Sequence, residues 1–143
     1  MTFKKRDAGV KQGEDRKRRV TGASLAEGVR REHSLGKATI NFLNSGGTDE
    51  TLIRDARSEI GKFLYSARVA STFHIDKKSE EALRAVVLDV DSKADANIKK
   101  DTAEILTHCY LSTKNMEKLM EVLRNFNPYV RQGADIAVRL RRN

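Results

Sequence analysis

Tryptophan is absent from this sequence, proline and cysteine each occur once, and aromatic residues make up only 6%. A single cysteine, Cys109, excludes a disulfide framework and a cysteine-built zinc site, and points to the cytoplasm and nucleus. With so few aromatics, a core has to come from Leu, Ile, Val, Ala and a few Phe, a palette that favours helices over a β-sandwich. No stretch reaches 18 uninterrupted apolar residues, so no membrane span is expected. The charged N-terminus also lacks the apolar run of a secretory signal.

Motifs for catalysis and cofactors are missing as well. Neither GxxxxGK[ST] nor GxGxxG occurs, so no phosphate-cradling loop is expected and Gly46-Gly47 reads as an ordinary turn. His33, His74 and His108 are scattered without an HExxH pattern, and each reads as a surface or partly buried imidazole rather than a metal ligand. Cys109 beside His108 resembles a nucleophile and base. Adjacent helix positions point about 100° apart, however, and Cys109 fits an apolar stripe. Glu80, Glu81, Asp89 and Asp91 lack EF-hand spacing and read as solvated helix charges. The expectation is a protein that is not an enzyme and carries no cofactor or metal.

What is present is charge, unevenly placed. Of a formal net charge of +8, +6 lies between Met1 and Lys37, where eleven Lys/Arg meet five Asp/Glu. The other 106 residues are nearly neutral, with seventeen basic and fifteen acidic groups. A concentrated basic arm seeks an acidic partner, either nucleic acid, an anionic membrane or an acidic protein surface. Residues 1–22 are poor in apolar side chains and dotted with Gly9, Gly13 and Gly22, so they are expected to be mobile when free.

The rest reads as helices. Ser24 is a candidate cap for a short helix through Glu32, and Gly36 interrupts any longer run. Asn44-Ser45-Gly46-Gly47 reads as a loop. Asp49 is an N-cap candidate, followed by the stripe Leu52, Ile53, Ala56, Ile60, Phe63, Leu64 and Ala67. Asp76 or Ser79 starts the next segment. Its Val86-Val87-Leu88 run is kept helical because no alternating partner strand occurs. Ala94 to Tyr110 places Ile98, Thr102, Ile105, Leu106 and Cys109 on one side. Thr113 is a candidate cap for the helix bearing Met116, Leu119, Met120 and Leu123, and Asn127-Pro128 opens the last one. The predicted class is all-α, as a short α-solenoid or a compact helical bundle.

Three of these helices share a faint pattern: LIRDARSEIGKFL from Leu52, IKKDTAEILTHCY from Ile98 and VRQGADIAVRL from Val130. The first spacing is 46 residues, in the HEAT and armadillo range, and the second is 32. FKK, then GV, EDRKRR and AEGVRRE resemble the importin-β-binding arm of importin α. FLNSGGTDETLIRDARSEIGKFLYSAR resembles that family's first armadillo unit, HID at 74–76 falls where its next unit begins, and STKNMEKLMEV and NPYVRQGADIAVRL resemble later armadillo helices.

This resemblance implies an arm at 1–37 and an armadillo-like body at 38–143. It also implies an adaptor role in nuclear protein import, with Lys4, Lys5, Arg6, Arg16, Lys17, Arg18, Arg19, Arg30 and Arg31 meeting carboxylates of an importin-β-like partner. Where the family carries a Trp and Asn ladder for cargo, the matching pairs here are Ser58 and Lys62, Glu104 and His108, and Ile136 and Leu140. None of them supplies both an aromatic wall and a backbone clamp. The basic cluster that closes the family's arm is reduced to Ser34-Leu35-Gly36-Lys37, and the chain is too short for ten units. The alternative reading is a small basic helical nucleic-acid-binding protein of viral, phage or plasmid type. Arginines interleaved with Glu14, Asp15, Glu27 and Glu32 suit a patterned protein surface better than a phosphate backbone. No membrane partner is expected, and an exposed last helix face would favour self-association.

Overall fold

Five of the six helices among the described residues of the computed structural model begin on an Asp or Asn side chain, the sequence feature that most directly sets the element boundaries. The structure describes residues 32–46, 49–89 and 94–142. The basic arm up to Arg31 and the same stretch of the Ser24-capped helix lie outside the described residues, while Glu32, expected to end that helix, lies in a strand instead. In chain order the elements are β1 (Glu32–His33), α1 (Lys37–Ser45), α2 (Glu50–Val69), β2 (His74–Ile75), α3 (Lys77–Leu88), α4 (Ala96–Thr113), α5 (Met116–Leu123) and α6 (Pro128–Arg141). The class is all-α, as expected.

Each helix start leaves backbone N–H groups without helical acceptors, and a short polar side chain just before the first turn supplies one. Asp49 accepts from Thr51 N at 2.8 Å, Asp76 from Ser79 N at 3.3 Å and Asp95 from Ile98 N at 2.8 Å. Asn127 accepts from Tyr129 N at 2.9 Å with Pro128 in the first turn behind it. The expected cap Thr113 is instead the last residue of α4; its hydroxyl donates back to Cys109 O at 2.8 Å. Asn115 caps α5, accepting from Lys118 N at 3.3 Å. Lys114 makes the turn between them in the left-handed region, at φ 59°.

Two expectations are corrected before α2. The Asn44-Ser45 pair belongs to α1, which the sequence reading passed over; Thr39, Phe42 and Leu43 form its buried face. A strand pair also exists. Glu32 pairs with His74 and His33 with Ile75 in a parallel ladder, and Asp76 N donates to His33 O at 3.0 Å. Two residues per strand are too short to show an alternating pattern, which is why none was visible. The pairing seats Leu35 in the core and aims its N–H at Ser79 Oγ, 2.8 Å away. His33 lies against Phe73 with ring centroids 4.7 Å apart, and Phe73 meets Phe63 edge-on at 5.5 Å.

The remaining core is organised around α4. Every residue from Thr102 to Tyr110 is buried, so the one-sided stripe expected for this segment is replaced by burial all round. Helices α2, α3, α5 and α6 all pack against it. A helix enclosed in this way needs polar residues that find partners inside, and α4 carries several. Its closest neighbour is α6, which crosses it at Gly133. A Cβ there would stand 2.0 Å from Lys100 O, so only glycine permits this approach.

Candidate functional site

The nine basic residues singled out in the sequence, Lys4, Lys5, Arg6, Arg16, Lys17, Arg18, Arg19, Arg30 and Arg31, all lie outside the described residues. Two polar constellations run through the described residues.

The first joins α2, α4 and α6. Glu104, on the enclosed helix, is fully buried, and so is His108 one turn on. Arg68 of α2 grips the Glu104 carboxylate with both arms of its guanidinium, Nε to Oε2 at 2.6 Å and Nη2 to Oε1 at 2.7 Å. His108 Nε2 stands 3.0 Å from the same Oε2, and its Nδ1 lies 2.8 Å from Arg141 Nε. An arginine Nε–H can only donate, so Nδ1 must accept, and the ring proton sits on Nε2 and points at Glu104. Arg141 then reaches the end of α2, donating to Ala67 O and Ala70 O at 2.9 Å each and to Ser71 O at 3.1 Å. It thus satisfies carbonyls that the helix terminus leaves open.

Electrostatics follow the geometry. Burial by itself would raise the Glu104 carboxyl, but the hydrogen bonds from Arg68 and His108 and the charge of Arg68 hold it below the ordinary carboxylate range. Burial also draws Arg141 below the ordinary arginine value. The reading of every histidine as surface or partly buried therefore fails at His108, while His33 and His74 are partly buried as expected. Both carboxylate oxygens and both ring nitrogens are occupied by protein partners. The arrangement ties three helices together.

The second constellation links α3, α4 and α5. Tyr110 donates to Glu80 Oε2 at 2.6 Å, Lys118 Nζ donates to the same oxygen at 3.0 Å, and Arg84 reaches the Tyr110 hydroxyl at 3.1 Å and pairs with Glu121. Glu80 is thus part of a network rather than a solvated charge. Burial would raise its carboxyl, and the bonds from Tyr110 and Lys118 bring it below the usual range. Cys109 sits in the core as expected. Burial and the nearby Glu80 push its thiol up to about 11, the opposite of an activated nucleophile.

Of the three residue pairs compared with a peptide-binding ladder, only Ser58 and Lys62 are both exposed. Glu104 and His108 face the interior, and Ile136 is half-buried beside exposed Leu140. They do not line one common groove.

Surface grooves are also present among the described residues. One of about 470 Å3 is lined by Ser71, Leu111, Ser112, Lys114, Val138, Arg141 and Arg142. Its cations stand where α2, α4 and α6 all end, and there they offset the negative ends of three helix dipoles. Another, of about 370 Å3, lies between Val86, Val87, Lys99 and Val130 beneath the loop Asn125-Phe126-Asn127. That loop is pinned by Asn125 Nδ2 to Val87 O at 2.8 Å and Asn127 N to Asn125 Oδ1 at 2.8 Å, yet Phe126 is 95% exposed.

Among the described residues no three His, Cys, Asp or Glu side chains gather where they could hold a metal ion, and no helix is long and apolar enough to cross a membrane. Comparison with family models, with curated proteins and with solved structures finds no match to this chain.

Proposed function

We propose that this chain is a protein-binding adaptor whose basic segment, residues 1–37, docks on an acidic protein surface such as that of importin β, in the manner of importin α. The observation that carries the reading is the charge distribution: +6 of the net +8 falls in this first quarter, with acids interleaved among the arginines. Arginine forks make bidentate bonds to carboxylates, so Arg16, Arg18, Arg19, Arg30 and Arg31 are suited to such a surface, with Lys4, Lys5, Arg6 and Lys17 adding charge. Binding of this kind is salt-sensitive.

For the body, we read a compact bundle rather than an armadillo-like solenoid. In a solenoid each unit touches only its neighbours. Here the enclosure of α4 by four helices, and the bonds from Arg141 back to Ala67 some 74 positions earlier, support a closed arrangement. The burial of Glu104 and His108 counts against a cargo groove along that helix.

The test is capture by purified importin β in the presence of nuclease, comparing the full chain with the variant carrying Arg16, Lys17, Arg18 and Arg19 all changed to Ala. Capture that survives nuclease and is lost in the variant is expected. Failure of capture, with nucleic acid co-purifying until nuclease is added, would overturn the adaptor reading in favour of nucleic-acid binding. One observation favours that second reading: Arg131, Arg139 and Arg142 are all exposed on or just after α6 and offer a second basic stretch to phosphates.

A further inference from the structure

Four of the eight large apolar side chains exposed among the described residues, Met116, Met120, Phe126 and Tyr129, fall in one short stretch covering α5 and the start of α6. Helix α5 turns Leu119 and Val122 inward, at 2% and 0% exposure. At 100° per residue, Met116, Glu117, Met120 and Arg124 then lie on its outward side, and all four are exposed. The charges on this helix divide cleanly. Lys118 is held by Glu80 and Glu121 by Arg84, whereas Glu117 and Arg124 make no ion pair among the described residues. They stand seven residues apart, two turns of helix, with Met120 between them.

This spacing is self-complementary. An apolar centre flanked by one acid three residues before it and one base four residues after it matches a copy of itself turned by a two-fold rotation, because each acid then meets the other copy's base. We propose that the outward face of α5 binds a second copy of this chain. The two α5 helices pack antiparallel about a dyad near Met120, and Glu117 of each copy faces Arg124 of the other. Methionine suits the centre, since its unbranched thioether adapts to a partner surface. Phe126, held out by a loop that Asn125 and Asn127 fix, follows directly as the aromatic anchor. A face built on an eight-residue helix and one loop is smaller than a standard interface, so the association is weak.

Sedimentation of the nuclease-treated full chain over a range of concentrations reads it. The wild type is expected to shift from monomer to dimer below roughly 300 µM, as suits a small interface. Glu117→Arg and Arg124→Glu, each alone, are expected to weaken dimerisation by about tenfold, since both symmetry-related pairs become repulsive. Both positions are exposed, so folding, checked by circular dichroism, is unchanged. The deciding arm is the mixture. Chains carrying Glu117→Arg present two bases and chains carrying Arg124→Glu two acids, so together they regain dimerisation that neither has alone. A wild type that stays monomeric, single reversals that dimerise unchanged, or a mixture no stronger than its components would each overturn the proposal.

Discussion

At Gly133 two opposite effects of an added methyl group can be weighed. Within a helix, alanine is favoured over glycine by about 1 kcal/mol, because glycine has more backbone freedom to lose. At Gly133 the same methyl would sit 2.0 Å from Lys100 O, a backbone atom that cannot swing aside. Overpacking of that kind costs about 1–3 kcal/mol or more, so the clash wins. Gly61, exposed within α2, has nothing within 4 Å of its would-be Cβ and shows the propensity term alone. Gly133→Ala is therefore expected to destabilise by about 3 kcal/mol, and Gly61→Ala to stabilise by about 1 kcal/mol. Urea unfolding of the two variants beside wild type measures both, and equal shifts of one sign would show that the α4–α6 crossing is looser than the structure has it.

Individual elements differ in how plainly the sequence announces them. Asp49 and Asn127-Pro128 mark their helix starts because capping is a local matter of one side chain and the next turn. The short helix α1 left a trace too, Thr39, Phe42 and Leu43 at helical spacing, obscured by Gly36 before it and a polar loop after it. The enclosure of α4 left none. Glu104 and His108 look like solvent residues in sequence, and their partners Arg68 and Arg141 lie 36 and 33 positions away. Only the assembled fold brings those charges together, so no local period could announce them.

This arrangement predicts unequal costs for two ion pairs of the same kind. Arg68→Ala leaves a buried carboxylate without its main partner and is expected to cost about 3 kcal/mol. Arg57 pairs with Asp95 at the surface, with side chains 50% and 37% exposed, and Arg57→Ala is expected to cost less than about 1 kcal/mol. Thermal unfolding of both variants checks the difference, and near-equal effects would mean that the α2–α4 tie is solvated.

Across the whole molecule these carboxylates set the response to acid. Glu80, Asp95 and Glu104 all have folded-state values below their ordinary ones: burial raises each, but hydrogen bonds and nearby cations outweigh it. A depressed carboxyl contributes stability that is complete above its unfolded value and is lost as pH falls through the folded one. Asp101, raised chiefly by burial, works in the opposite direction and in a higher window, between its ordinary value and its raised folded one. With three groups against one, stability is expected to hold near neutrality and to fall as pH drops below about 4. Denaturant midpoints between pH 7 and pH 3 test this, and a midpoint that rose with acid would contradict the assigned directions.

The reach of Arg141 back to the end of α2 also has a consequence for how the protein is made. Synthesis runs from the N-terminus, so α2 and α4 are made before Arg141. Until then the carbonyls of Ala67 and Ala70 and the ring of His108 await their donor, and the face of α4 that receives Gly133 stays open. Helices α2 and α4 are thus completed by α6, which is made after both. During each round of translation, the central helix is therefore made before the helix that covers it.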